Sequence, residues 1–370
     1  MLVVCGQVSA GGGIVSLVRK LGTFIDSMTV RGVDRTYIEA PKEPWQVILR
    51  GNVNQTDMKM KSTIDAEGMF WGVKGDVRWE PRIKTTPSTY VGFWAGYRGY
   101  GLGYSWNVGG DKGSILTLGA TGGSYGVNLR IHRFKTDEPE VFIAGNFLDD
   151  EVGDFNYSER IENFPLWKPI RTRTLILDGY YLFNGKRFSY AAAYDQSVIQ
   201  RRSAGSLMAG AMYYHSHTQY ANDEDADFIL MMGDIGRIKQ WQASVGVGYA
   251  YNWVPAKGLL VSAFAMPMLT FYNRLKVWQY GSNYRDMAID EELHEEDELS
   301  FLDYKIWPMG ETSQNSRMTL TFDGRLSLTY QWSRFFINAY GQFNNFRYSQ
   351  GRYSGYLNDW FVNASIGVRL

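Results

Sequence analysis

The chain has 370 residues with 38 basic and 38 acidic side chains, so its formal net charge is zero. A balanced charge argues against a nucleic-acid partner, because such proteins normally carry a basic excess. No run of about 18 apolar residues occurs, which argues against helical membrane spans. The 25 Tyr, 20 Phe, 12 Trp and 40 Gly residues are typical of a membrane β-barrel with aromatic girdles, although composition alone also permits a soluble β-sandwich.

The first ten residues resemble the end of a signal peptide. Val8-Ser9-Ala10 has the small-residue pattern of a cleavage site, whereas the basic region and most of the apolar core are missing. We interpret residues 1–10 as a signal-peptide remnant, either because the start is placed too late or because upstream residues were lost. Cys5 allows a lipid-attachment site as a weaker alternative, since Val precedes it where a small residue is expected. A single cysteine excludes an internal disulfide.

Residues 13–29 have the pattern of an amphipathic helix. Their apolar side chains recur every three or four residues, as on one helical face: Ile14, Leu17, Val18, Leu21, Ile25 and Met28. Pro41 and Pro44 then interrupt the chain before the β region. We therefore predict a periplasmic N-terminal segment over residues 11–44 that contains this helix.

From Trp45 onward, apolar and polar residues alternate, as expected for strands with one apolar face. Over residues 318–332, seven polar residues alternate strictly with apolar ones. Such a row cannot line the dry interior of a sandwich. The opposite, apolar row ends in Trp332, as another ends in Trp253, which favours lipid as its cover. Residues 45–370 are therefore predicted to form an all-β domain, a transmembrane antiparallel up-and-down β-barrel.

About twelve strands are predicted, and ten or fourteen remain open. The weak points are a change of parity near Arg98 and the Gly122-Gly123 pair, while Pro267 predicts a bulge. An even number places both termini in the periplasm. The predicted strands cover residues 45–57, 64–80, 88–97, 99–108, 114–133, 171–184, 203–217, 240–254, 257–272, 318–332, 334–346 and 355–370.

The lengths of the connections give the barrel an orientation. Residues 254–257 and 333–334 are as short as periplasmic turns, whereas the long connections 134–170, 218–239 and 273–317 are typical of outer loops. The connection 185–202 is an exception, because it is long and yet falls on the periplasmic side.

That connection also carries a family resemblance. The stretch from Asn184 to Ser206, which includes Arg-Phe-Ser-Tyr-Ala-Ala-Ala-Tyr-Asp, resembles the signature of an outer-membrane family of Bacteroidota described only as a domain of unknown function. Residues 33–38, 97–104 and 248–254 support the resemblance, which covers the chain from about residue 30 to its end. It implies a barrel in the outer membrane, and it brings no activity and no site residues.

The histidines offer few candidates for chemistry. His215 and His217 share one strand face and could bind a transition metal. Outer-membrane lipid hydrolases use a His and a Ser on the barrel wall, but Ser216 points to the face opposite both histidines. Interfacial polar residues are the preferred interpretation over either a metal site or catalysis. His132 is predicted to join a hydrogen-bond network in the lumen. The Gly122–Gly126 stretch matches a nucleophile elbow, which needs a strand-to-helix turn that this β-rich region lacks.

Charged side chains form two further groups. The acidic runs 223–227 and 290–298 lie in outer loops, where a solvated surface is preferred over a divalent-cation site that bridges lipopolysaccharide phosphates. The inward-facing charges have mixed signs, which favours salt bridges in a narrow lumen over the one-sign ring of a selective pore. This predicted network consists of Arg50, Lys74, Asp76, Arg78, Asp178, Asp323, Arg325 and Arg369, with Glu80 beside them.

These features favour a non-enzymatic structural or accessory subunit of an envelope complex in the Gram-negative outer membrane. Its expected surroundings are outer-membrane lipid and lipopolysaccharide, and no cofactor, metal or nucleic acid is expected. A narrow channel or transporter for small or hydrophobic solutes is the alternative. An outer-membrane lipid hydrolase is weakest, because the sequence presents no catalytic triad at a workable spacing.

Overall fold

The computed structural model describes residues 32–65, 76–147, 155–220, 229, 232, 235–282, 306–351 and 353–370. The predicted helix over residues 13–29, the signal-peptide remnant and both acidic runs lie outside these residues. None of the helices in the described ranges is long and apolar enough to cross a membrane. The elements are β1 Ile38–Glu39, β2 Trp45–Asp65, β3 Asp76–Trp79, β4 Arg82–Lys84, β5 Ser88–Tyr97, β6 Tyr100–Gly109, β7 Lys112–Thr121, β8 Tyr125–Thr136, β9 Glu140–Phe147, β10 Phe155–Ile161, β11 Ile170–Leu182, α1 Tyr190–Tyr194, β12 Ile199–Gln200, β13 Ala204–Gln219, β14 Ile235–Ala256, β15 Leu259–Ser282, β16 Ile306–Asn315, β17 Thr319–Trp332, β18 Phe335–Gln350 and β19 Tyr353–Arg369.

Within the described residues, twelve strands close into an antiparallel barrel. The last strand, β19, pairs with β2, the first strand of the ring, with Arg369 opposite Gln46. Trp45 and Leu370 exchange backbone hydrogen bonds at the same end. The predicted antiparallel barrel of about twelve strands is confirmed. Its ring consists of β2, β5, β6, β7, β8, β11, β13, β14, β15, β17, β18 and β19, and β3, β4, β9, β10 and β16 extend the wall at the end opposite the termini.

Two predicted strands are wrong, and the two errors cancel in the count. The predicted strand 64–80 is absent from the ring, because β2 runs without a break to Asp65 and the short β3 pairs with its far end. The predicted strand 114–133 is two ring strands, β7 and β8, joined by a turn in which the Gly122 amide bonds to the Tyr125 carbonyl. Alternation continues through that tight turn, so it hides the break.

The outward face of the ring is a belt of exposed apolar side chains. On β14, Val247 is 61% exposed, and on β17, Leu320 and Leu326 are 66% and 65% exposed. Trp253 and Trp332 lie at the end of these rows that is nearer the termini. A monomeric soluble protein rarely exposes so large an apolar patch. The parity predicted for β14 and β17 therefore holds, and the outward face is a lipid-facing surface.

Pro267 interrupts the ladder without changing its register. Gly246 pairs with Met268 and Tyr249 with Ala265, which is one continuous register across the proline. The register shifts between β14 and β15 lie elsewhere, at Ile235/Arg237, Ala243/Ser244 and Trp253/Ala256. The predicted bulge is therefore displaced from the proline, which faces outward and leaves the neighbouring strand in place.

The lumen is packed with side chains. Part of it is apolar: Met208, Met212, Phe264 and Met266 are buried there, and the rings of Tyr214 and Phe346 stack 3.9 Å apart. The rest of the lumen is polar and meets a chain segment that enters from the end with the termini.

Candidate functional site

Residues 185–203, which form most of the connection between β11 and β13, fold back into the barrel and are called the plug below. It contains α1, in which Ala191, Ala192 and Ala193 are buried. Alanine has the highest helix propensity, and its small side chain lets this turn fit between the walls. The Ser189 hydroxyl caps the helix by accepting a hydrogen bond from the Ala192 amide at 3.2 Å.

Side chains of the barrel wall hold the plug mainly by donating hydrogen bonds to the backbone carbonyls of the plug. A buried carbonyl must be hydrogen-bonded to avoid a desolvation cost, and here wall side chains supply the donors. The donors come from β14, β17, β18, β19 and β2, which lie on one side of the ring: Asn252 to the Ser189 carbonyl at 2.8 Å, Ser327 and Asn338 to that of Ala193 at 2.6 and 3.2 Å, Gln46 to that of Asp195 at 2.8 Å, and Arg369 to that of Gln196 at 2.9 Å.

The N-terminal segment covers the plug from outside the barrel. Strand β1 pairs with β12, which lies within the plug, and Arg201 forms an ion pair with Glu39 at 2.6 Å. Ile38 packs with the three alanines of α1 and with Val198. Two of the stretches that carry the family resemblance, residues 33–38 and the plug, are therefore in direct contact.

Arg325 is the centre of the polar lumen. Its guanidinium contacts Asp323 on the same strand at 2.6 Å and Asp178 at 3.3 Å, and it donates a hydrogen bond to the Tyr190 hydroxyl. Asp178 lies on β11, and β13, β14 and β15 separate that strand from β17 in the ring. The Arg325–Asp178 contact therefore crosses the lumen, and Asn128 donates to Asp178 at 2.9 Å.

The other predicted lumen residues divide into two groups. Arg50 and Arg369 lie in the lumen: the Arg50 guanidinium stands 4.3 Å from the Trp94 ring, and Arg369 bonds to the plug. Lys74 lies outside the described residues, and Asp76 lies on β3 beyond the ring.

Arg78 and Glu80 also lie away from the polar lumen. Arg78 is an exposed residue of β3, so its predicted place in the lumen is wrong, because β3 extends the wall and does not belong to the ring. Glu80 follows β3 and forms ion pairs with Lys59 at 2.5 Å and Lys61 at 2.7 Å. This far-end cluster is separate from the network around Arg325.

A cavity of about 100 Å³ remains between the plug and the wall. Arg50 and Arg130 both line it. Arg130 forms an ion pair with Asp359 at 3.0 Å, while its Nη2 has no hydrogen-bond partner among the described residues. Arg50 donates only a long hydrogen bond, 3.4 Å, to Thr117. The cavity is therefore lined by guanidinium nitrogens that could donate hydrogen bonds to a bound molecule.

The histidine candidates lie on both faces of the wall. His132 is buried and contacts the Tyr90 hydroxyl at 3.0 Å, in a lumen hydrogen-bond network of the kind expected from its parity. His215 stacks on Trp241 with 5.0 Å between ring centroids, whereas Ser216 is buried on the inward face. Nowhere in the described ranges do three or more His, Cys, Asp or Glu side chains cluster as they would around a metal ion.

Several residues of this site were not predicted from the sequence. Tyr190, Asp195 and Gln196 had no assigned place in the lumen, yet they contact its wall. Burial raises the pKa of Asp195, although hydrogen bonds from Ser197 and Thr121 oppose this. The available signal was the Ser-Tyr-Ala-Ala-Ala-Tyr run at 189–194, which is a capped helix-forming sequence between two strands.

Several solved structures that resemble the chain in fold are outer-membrane barrels. The outer membrane protease OmpT from Escherichia coli has 8% sequence identity and a TM-score of 0.44, with 88% of this chain and 97% of that chain covered. The translocator domain of the autotransporter NalP from Neisseria meningitidis has 10% identity and a TM-score of 0.30, with 98% and 97% covered. The Pseudomonas putida toluene transporter TodX has 9% identity and a TM-score of 0.27, with 90% of each chain covered. Such likenesses concern the fold alone.

Comparison with curated proteins gives no significant match. The family model described as "Domain of unknown function (DUF4421)" matches residues 33–370. That match includes the plug, the segment that covers it and every strand of the ring. The chain therefore belongs to the DUF4421 family of domains of unknown function.

Proposed function

We propose that this protein is an integral outer-membrane barrel closed by its own plug, and that it serves as a non-enzymatic structural or accessory subunit of an envelope complex. The observation that supports this proposal is the hydrogen bonding of four plug carbonyls by wall side chains. A segment held in this way fills the space that a transported solute would need. The barrel then acts through its surfaces.

The proposal includes an orientation. The turns Arg98–Gly99, Lys257–Gly258 and Ser333–Arg334 lie at the end with the termini and the plug, and all are short. Short turns are typical of the periplasmic end of such barrels. The plug and both termini then face the periplasm, and the wall extension of β3, β4, β9, β10 and β16 lies on the extracellular side of the membrane.

Planar-bilayer recording of an unplugged variant tests the closure. Residues 182 and 208 pair across β11 and β13, so replacing residues 186–204 with Asn-Gly closes the two strands with a two-residue hairpin turn. We expect little steady conductance from the intact protein and a stable conductance from this variant. A large, ohmic conductance from the intact protein would contradict the proposed closure.

Co-purification tests the accessory role. The intact protein is isolated from native membranes under mild detergent, and the proteins that accompany it are identified and quantified. Recovery of one envelope protein in fixed proportion supports the role. Recovery of the barrel alone under conditions that preserve other envelope complexes counts against it.

The cavity favours a narrow channel for small anionic solutes as a second candidate. Arg50 makes only a long hydrogen bond in this space, and Nη2 of Arg130 has no hydrogen-bond partner among the described residues. Guanidinium groups are suited to carboxylate or phosphate. Bilayer recording distinguishes the candidates: an anion-selective conductance of the intact protein that is lost in Arg50→Ala favours the channel. Absence of such a conductance favours the closed barrel.

The non-enzymatic part of the proposal is supported by the His215–His217 stretch. Ser216 is buried on the inward face, while His215 stacks on the outward-facing Trp241, so this serine and this histidine are not placed for a shared proton transfer. Lipid turnover by the purified protein in detergent that disappears in His215→Ala would contradict this part and favour a lipid hydrolase.

A further inference from the structure

The outward face changes its chemistry sharply near the end opposite the plug. Along β11, the lipid-facing side chains Leu177 and Leu175 are followed by Arg173 and Arg171, which are both exposed. The neighbouring strand β8 changes in the same way at Arg133. We call the exposed or half-exposed cluster at this level the basic patch; it consists of Lys112, Arg133, Lys135, Arg171, Arg173 and His217.

The register brings the members of the basic patch face to face. Arg133 lies directly opposite Arg173, and Arg173 lies opposite His217 on its other side. Lys135 likewise lies opposite both Arg171 and Lys112. Like charges at directly opposed positions of a sheet repel and destabilise it. The fold therefore maintains a repulsive arrangement on this surface.

The adjacent part of the wall shows how such repulsion can be neutralised. On β14 and β15, Arg237, Lys239 and Lys276 converge on Glu311 of β16, at 3.8, 3.5 and 2.5 Å. In the basic patch, Lys112 reaches Asp137 at 3.9 Å. Within the described ranges, β8 and β11 supply no outward-facing carboxylate to the basic patch. An anion from outside the chain would therefore complete it.

The level of the basic patch relative to the lipid indicates where that anion comes from. Trp241 and His215 stack in register across β14 and β13, and aromatic side chains of this kind mark the level of the lipid headgroups. Lys239 and His217 form the next outward-facing pair along the same two strands. Two residues of a strand span about 7 Å, so the patch lies just beyond the aromatic level, at the depth of headgroup phosphates.

From these observations we propose that the basic patch binds the phosphate groups of a phosphorylated glycolipid anchored in the leaflet opposite the plug. Adjacent strands lie about 4.8 Å apart, so Arg133 and Arg173 can reach one phosphate together, and guanidinium groups bind phosphate in a bidentate manner. The acyl chains of the same lipid would cover the apolar rows of β8 and β11. Free phosphate could bind the basic patch, but it would leave the apolar rows uncovered. The proposal does not rest on the closure of the lumen.

The test compares two lipids that differ only in phosphate. The full-length protein in neutral detergent is titrated with diphosphorylated lipid A and with phosphate-free lipid A, and bound lipid is counted by native mass spectrometry. We expect preferential binding of the phosphorylated form that weakens with added salt. Arg133→Ala/Arg173→Ala should weaken that binding by about tenfold or more, while binding of the phosphate-free lipid stays the same.

Two variants serve as controls. Lys257→Ala/Arg334→Ala removes two exposed cations from the short turns at the plug end and should bind like the unmodified protein. Arg133→Lys/Arg173→Lys keeps the charge but loses the bidentate geometry, so its binding should be intermediate. If the alanine variant does not fold, as judged by heat-modifiable migration, the lysine variant and the salt dependence of the unmodified protein decide.

Three results would overturn the proposal. Equal affinity for the two lipids would show that phosphate is not recognised. Unchanged binding in the alanine variant, or binding lost equally in the plug-end control, would show that the patch is not the site. Full competition by millimolar inorganic phosphate would show that the patch binds a free anion and not a membrane lipid.

Discussion

Tyr190 and Arg325 are separated by 135 residues of sequence, yet Arg325 Nη1 donates a hydrogen bond to the Tyr190 hydroxyl inside the barrel. The same guanidinium contacts Asp323 on its own strand and Asp178 across the lumen. One wall residue thus connects the plug, its own strand and the opposite wall. Its removal is therefore expected to affect stability and closure together.

Arg325→Met should destabilise the barrel by about 3–5 kcal/mol, because it leaves two buried carboxylates without their counter-charge. It should also increase the leak through reconstituted bilayers. Urea unfolding in detergent, read by heat-modifiable migration, measures the first effect. The triple variant Asp178→Asn/Asp323→Asn/Arg325→Met should recover part of the stability, and Arg334→Met, at an exposed turn, should be nearly neutral. A single variant as stable as the unmodified protein would contradict the proposed role of Arg325.

Val247→Arg should destabilise the barrel by about 2–4 kcal/mol, as a cation does at the lipid-facing midplane of such barrels. Val247 is 61% exposed on the outward face of β14, so Val247→Leu at the same place should be almost silent. Unfolding midpoints of the two variants in lipid vesicles check this pair. Gly246 is unsuitable as a control, because a Cβ there would lie 2.5 Å from the Pro267 carbonyl oxygen. Equal destabilisation by Leu and Arg would mean that the site is packed and not lipid-facing.

Glu80 should make the stability depend on pH. Burial opposes its ionisation, but the hydrogen bonds and charges of Lys59 and Lys61 outweigh burial and lower the pKa of Glu80 from its ordinary value of 4.5. The resulting stabilisation is present above that value and is lost as the pH falls through the lower pKa of the folded state. Unfolding midpoints of the unmodified protein and Glu80→Gln should therefore differ at neutral pH and converge in strong acid. A difference that persists unchanged in acid would contradict this assignment.

The location of the protein is itself a prediction. Because the outward face is a belt of exposed apolar side chains, the protein should fractionate with outer membranes and migrate differently on gels before and after heating. Density-gradient separation of the two membranes and a gel of unheated and heated samples measure both. Recovery as a soluble monomer without detergent would contradict the membrane assignment.

Strict alternation allowed much of the ring to be predicted from the sequence. It predicted which side chains of β14 and β17 face lipid, because apolar and polar residues alternate with a period of two wherever one face of a strand meets lipid and the other meets the lumen. Strand boundaries were less predictable, since a tight turn at Gly122 keeps the alternation intact. Arg78 was misplaced for a related reason: a short strand outside the ring has the same period as a strand within it.

The plug could not be placed from the sequence, because its position depends on contacts between distant residues. The Ser189–Tyr194 run indicates a helix, but nothing local to it points to Asn252, Ser327 or Arg369 as partners. The apolar part of the lumen was missed as well. Met208, Met212 and Met266 occupy positions whose parity suggests polar residues, and only the closed ring shows that they pack against one another.

The donors that hold the plug come from both ends of the chain. Gln46 belongs to the first ring strand and Arg369 to the last, and each binds a plug carbonyl. During membrane insertion, the plug therefore cannot complete its hydrogen bonds until the sheet has closed on itself. A truncated or misregistered chain would leave the Gln196 carbonyl without its donor and the helix loosely held. Docking of the plug is thus coupled to closure of the wall, because its full set of hydrogen bonds exists only when the first and the last ring strand lie side by side.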